Sequence, residues 1–144
     1  MTRIDFYILK DVEVHAMQRF ACRLASKALA AGNPVVILNA DEDSARGLDE
    51  LLWDYPDQRF LPHGLQHTAA AKGAPIVLCW DEPDSFDGVL VNLSTEVPDF
   101  FTRFERVAEI IVDETRDPGR ARYKYYRDRG FPLYHHELDD WEAA

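Results

Sequence analysis

Arg116–Phe131 (RDPGRARYKYYRDRGF) is the stretch whose residue types and spacing could do chemistry. It holds Arg116, Arg120, Arg122, Lys124, Arg127 and Arg129, six of the sixteen basic residues in a chain whose formal net charge is −10. Nothing interrupts a helix from Gly119 until Gly130 and Pro132. At helical spacing Arg120, Tyr123, Lys124 and Arg127 fall at i, i+3, i+4 and i+7 and share one face. Tyr126 and the turn at Gly130-Phe131 flank that face. Aromatic bodies ringed by cationic tips can grip a partner that is both apolar and anionic. The same residues also suit a solvated C-terminal helix whose basic charges complement its last turn. Charge alone favours the plainer reading. The concentration of cations on one short segment of an acidic protein favours the first.

Other candidate chemistry is weaker. A dinucleotide-binding domain needs a glycine-rich turn after its first strand, yet Leu9-Lys10-Asp11-Val12-Glu13 stands there, with two acids that would repel a phosphate. No G-x-x-x-x-G-K-[ST] occurs. The acidic turn holding Asp81, Glu82, Asp84 and Asp87 could gather a magnesium ion, although carboxylates in turns are commonly solvated turn formers. His63 and His67 lie four apart and His135-His136 are adjacent, but no further ligands stand at zinc spacing. G-x-S-x-G is absent. Cys22 and Cys79 sit singly in apolar contexts, as buried free thiols do. These readings lead to no catalytic site, no metal and no cofactor. Phe60-Leu61-Pro62 places three apolar residues together in a loop, which either folds back under the sheet or marks a protein interface.

The elements that must position these residues alternate between strand and helix patterns. Arg3–Leu9 reads as the first strand, and Val14 to Ala31 as a helix with Met17, Phe20, Ala21, Leu24, Ala25 and Ala28 on its apolar side. Gly32-Asn33-Pro34 stops it. Pro34–Leu38 is apolar throughout, as a strand covered on both faces is. Asp41 is placed to cap a helix burying Leu48, Leu51, Leu52 and Tyr55 and ending at Pro56. The small residues of Thr68–Gly73 are expected to be mobile. Ala74–Trp80 and Gly88–Leu93 read as strands, Pro98 opens a short helix turning Phe100, Phe101 and Phe104 inward, and Val107–Val112 is a further strand before the basic helix closes the chain. The pattern predicts one three-layer α/β domain over residues 1–144 with a mostly parallel sheet. With a sequence pI near 4.8, bulk nucleic-acid binding is not expected. No apolar run reaches the ~20 residues of a membrane helix, and no secretory signal is legible, so the cytoplasm is the expected compartment.

Taken together, FYIL at 6–9, AC-x-LA at 21–25, LDELLW at 48–53, FLPH at 60–63, API at 74–76 and RARYKYYRDRGF at 120–131 resemble the chi subunits of bacterial DNA polymerase III. The order and spacing of these motifs carry the resemblance over nearly the whole chain. It implies a Rossmann-like fold without nucleotide binding, in a non-catalytic accessory subunit of the clamp-loader complex. It implies two partners: the psi subunit (or, in some bacteria, a helicase-like protein), and the acidic C-terminal tail of single-stranded-DNA-binding protein, with DNA met only indirectly. By the family pattern the tail pocket falls on Arg120, Tyr123, Lys124, Tyr126 and Arg127, with Phe131 near its base and Arg116 before it. Phe60, Leu61 and Pro62 fall at the psi surface. The acidic closing segment Tyr134–Ala144 departs from the pattern. The alternative is an α/β enzyme that holds a phosphate-bearing ligand on the basic helix and a metal at Asp81–Asp87.

Overall fold

Among the described residues seven strands form the centre of the fold, five of them from runs of β-branched and aliphatic residues. The computed structural model describes residues 1–10, 13–55, 61–139 and 141. In chain order the elements are β1 (Arg3–Leu9), α1 (His15–Ala30), β2 (Val35–Leu38), α2 (Glu42–Leu51), β3 (His63–Leu65), β4 (Ile76–Cys79), β5 (Val89–Asn92), β6 (Arg106–Ile111), α3 (Arg116–Asp128) and β7 (Leu133–Leu138). The strands form one sheet in the order β3-β4-β2-β5-β6-β1-β7, and every pair in it is parallel. The expected three-layer α/β architecture is present.

Alternation along the strands divides the core. Val35 and Ile37 of β2, Ile76 and Leu78 of β4 and Val91 of β5 turn to the face covered by α1 and α2, where they meet Phe20, Ala21, Ala25, Ala45, Leu48 and Leu52. Val36, Leu38, Leu90 and Val107 turn to the other face, beneath α3 and the phenylalanine-rich turn at Phe101–Arg103. Asp41 caps α2 as expected, accepting a hydrogen bond from the Ser44 N–H at 2.8 Å. Helix α2 ends at Leu51, earlier than expected, and a turn carries the chain to Tyr55, whose hydroxyl accepts from Arg23 at 2.9 Å.

Two strands were not expected. β3 has three residues and contains glycine, so it carries no propensity signal. β7 reads as a charged tail because it is the last strand of the sheet among the described residues and half its side chains face water. It closes the chain's fold in place of the basic helix. The small-residue segment includes a 3₁₀ turn at Ala69–Ala71, where the Thr68 hydroxyl donates to the Leu65 carbonyl at 2.6 Å.

Candidate functional site

Helix α3 starts at Arg116, before Gly119, because Pro118 sits in the first turn, where a missing N–H breaks no helical hydrogen bond. It stops through a Schellman arrangement: Phe131 N–H bonds the Tyr126 carbonyl at 3.2 Å and Gly130 N–H the Arg127 carbonyl at 3.0 Å. Gly130 supplies the left-handed backbone that this needs, at φ +77°. The chain then reverses into β7, which lies beside β1.

Between α3 and the β6-β1-β7 edge lies a groove of about 560 Å³. Phe6, Ile8 and Ile111 supply apolar lining from the sheet, and Tyr123 supplies it from the helix. The aromatic wall is continuous: Tyr123 meets Phe6 edge-on at 5.4 Å between ring centroids and His135 at 5.1 Å. Lys10, Arg116 and Arg120 bring positive charge to the groove. Each has an acidic neighbour, Lys10 with Glu137 at 3.6 Å, Arg116 with Asp113 at 2.8 Å and Arg120 with Asp117 at 3.6 Å. These pairs are solvent-exposed, so each is worth only ~0–1 kcal/mol and exchanges readily for another carboxylate.

The residues expected to form one pocket separate here. Arg116, Arg120 and Tyr123 line the groove. Lys124 and Arg127 are exposed on the same helix and outside its lining, Arg127 reaching Asp128 at 3.4 Å. Phe131 is half-buried against Phe101, with ring centroids 5.0 Å apart, and serves the helix C-terminus. Tyr126 is fully buried in the core, so its place is a correction to the sequence reading. Its ring packs on Phe6 and Phe101, and its hydroxyl donates to Glu109 Oε2 at 2.6 Å.

Glu109 is the centre of a buried network that the sequence reading missed. Asn92 Nδ2 donates to Oε2 at 2.9 Å and Arg122 Nε to Oε1 at 2.9 Å, while Arg122 also reaches the Thr95 carbonyl at 3.2 Å. Arg122 is therefore a core residue and does not belong to the basic surface. Burial pushes the Glu109 carboxyl above its ordinary pKa, and the charge of Arg122 with the three donors offsets only part of that. The Tyr126 phenol is driven up as well, by burial and by the facing carboxylate. A lone acid inside VAEIIV was the available signal, since a buried charge demands a partner.

Elsewhere the candidates remain apart. Phe60 lies outside the described residues. Leu61 is folded into the core against α2 and only Pro62 is exposed, so that part of the loop took the folded-back course. Asp81, Glu82, Asp84 and Asp87 are all exposed, and Asp81 faces His67 at 3.7 Å. Among the described residues no group of three His, Cys, Asp or Glu side chains is arranged to hold a metal. His63 Nε2 stands 3.0 Å from Asp49, away from His67's partner. Burial drives the thiols of Cys22 and Cys79 up to about 12. No described helix is long and apolar enough to cross a membrane.

Comparison with known proteins bears on this arrangement. Among solved structures, the second domain of the DEAD-box helicase Mss116p, bound to an RNA duplex, superposes with a TM-score of 0.64 at 10% identity, over 96% of this chain and 65% of that one. That likeness shows the α/β fold alone. The sequence profile described as "DNA polymerase III chi subunit, HolC" matches residues 1–134. The DNA polymerase III subunit chi of Pseudomonas aeruginosa is 39% identical over 96% of this chain and 98% of its own. That of Escherichia coli is 34% identical over 92% and 96%, and that of Haemophilus influenzae 31% identical over 90% and 92%. With a profile match over nearly its whole length and three relatives aligned almost end to end, the chain belongs to the DNA polymerase III chi subunit family.

Proposed function

We propose that this chain is a non-catalytic accessory subunit of DNA polymerase III, acting in the cytoplasm during DNA replication. It links the clamp loader, through psi, to the acidic C-terminal tail of single-stranded-DNA-binding protein. The observation that supports the tail reading is the groove itself: apolar and aromatic lining beside Lys10, Arg116 and Arg120, on a chain of net charge −10. A tail ending in phenylalanine and a free carboxylate needs both halves of that arrangement. The ring enters beside Phe6 and Tyr123. The terminal carboxylate and the preceding acids replace Asp113, Asp117 and Glu137 as partners of the three cations through charge-assisted hydrogen bonds. Lys124 and Arg127 extend the positive field along the exposed face of α3 and act on the tail's outer acids.

Calorimetry with three synthetic tails tests this reading. The free acid binds, the C-terminal amide binds at least tenfold more weakly, and the peptide lacking its phenylalanine more weakly still. Equal binding of all three would remove the pocket and leave only a charged surface. For psi, the proposed surface is the loop at Phe60 and Pro62. Phe60→Asp is expected to abolish co-purification with psi while the melting transition is retained. Loss of folding in that variant would place Phe60 in the core and overturn the assignment.

A further inference from the structure

The two edges of the sheet are built differently. β3 ends one side with three residues, too few to template another strand securely, whereas β7 ends the other with six. Exposed edges are normally blunted by brevity, proline, lysine or a bulge, because their unpaired N–H and C=O groups invite another chain. Leu133–Leu138 (LYHHEL) contains no proline and no lysine.

The inner ladder sets the phase of this edge. Ile4 N–H donates to the Pro132 carbonyl at 2.9 Å and Lys10 N–H to the Leu138 carbonyl at 3.4 Å, with Ile4 level with Leu133 and Leu9 with Leu138. A parallel ladder alternates, so Tyr134, His136 and Leu138 bond inward to β1, and Leu133, His135 and Glu137 turn their N–H and C=O groups outward. His135 and Glu137 also line the groove. Past β7 the described chain leaves this edge: Trp141 packs edge-on against Phe20 of α1 at 5.2 Å, and its carbonyl accepts from Arg23 at 3.3 Å. Among the described residues no strand pairs on the outer side of β7.

Resting on the reading that the groove takes an acidic tail, we propose that the tail binds as an added strand on β7. Its backbone pairs with Leu133, His135 and Glu137, and its terminal ring and carboxylate cross the strand into the groove. Two features favour this occupant. A segment dense in acids repels itself into an extended form, which is the form an edge strand accepts. The adjoining cations Lys10, Arg116 and Arg120 draw such a segment to this edge, and Lys10 already neutralises Glu137, the one acid of β7.

Amide hydrogen exchange of the full chain, with and without a saturating synthetic acidic peptide ending in phenylalanine, tests the proposal. The N–H groups of Leu133, His135 and Glu137 exchange rapidly alone and slow at least tenfold with peptide, while those of Tyr134, His136 and Leu138 are slow in both states. In a series of peptides each carrying one N-methyl amide, alternate positions lose at least tenfold in affinity. A peptide that binds without protecting the outward amides, and with no alternating N-methyl effect, overturns the added strand and leaves the groove reading standing. A peptide that does not bind at all overturns both.

Discussion

Tyr126→Phe separates the structural role of the basic helix from its proposed binding role. The substitution keeps the ring against Phe6 and Phe101 and removes only the hydroxyl that donates to Glu109 at 2.6 Å. Glu109 Oε2 retains the Asn92 donor at 2.9 Å, and Oε1 retains Arg122. One of three hydrogen bonds to a fully buried carboxylate is therefore lost. A bond to a charged group contributes ~1.5–3 kcal/mol, and no water replaces it at a site with no solvent access. About 2 kcal/mol is the expected loss, equivalent to a fall of roughly 5–8 °C in Tm for a chain near this length. Urea denaturation should show a lower midpoint at an unchanged slope. Affinity for the acidic tail should stay within twofold, because Tyr126 does not line the groove. The opposite pattern, stability within ~0.5 kcal/mol of the parent and tail affinity down tenfold, would refute the buried-network argument and return Tyr126 to the pocket.

Further outcomes are expected for the groove, for Asp5 and for Gly88. Arg120→Ala should weaken tail binding about tenfold, or ~1.4 kcal/mol, and Tyr123→Ala should cost ~2 kcal/mol as an aromatic anchor. Lys124→Ala and Arg127→Ala should each cost a fewfold that vanishes at high salt by titration calorimetry. Asp5 is held below its ordinary value of 3.8: burial raises its pKa, and hydrogen bonds from His136 and Arg3 with the charge of Arg106 more than offset that. A depressed carboxyl contributes stability that is fully present above its unfolded value and is lost as pH falls through the folded one. Asp5→Asn should thus lose ~1–2 kcal/mol near neutral pH, the lower figure reflecting half-exposed arginine partners, and the gap from the parent should narrow below pH 3.8 in pH-dependent denaturation. Gly88 has φ +80° and a Cβ there would overlap the Pro34 carbonyl oxygen, so Gly88→Ala should cost about 3 kcal/mol by urea denaturation.

How much of this was legible in the chain follows from where each residue's environment comes from. Local chemistry announces itself: the run at 35–38 fits a strand covered on both faces, Asp41 can cap the helix after it, and Gly130-Phe131 can end α3, because those signals sit within a few residues of one another. The motif at 120–131 lies on the helix that borders the groove. Which of its side chains face the groove was not legible. Tyr123 and Tyr126 are three residues apart and differ little in helical phase, so the pattern grouped them. Packing of α3 over β6 and β1 turns Tyr126 onto Glu109 and leaves Tyr123 beside Phe6 at the groove. The same packing withdraws Arg122 from the surface charge that the sequence counts together. Phe6 and Ile8 of β1, Lys10 just after it, and His135 of β7 enter the groove from opposite ends of the chain, and β7 is recognisable only as the neighbour of β1. Sequence spacing carries short-range geometry; the groove is made by contacts between residues more than a hundred positions apart, which exist only once the sheet has assembled.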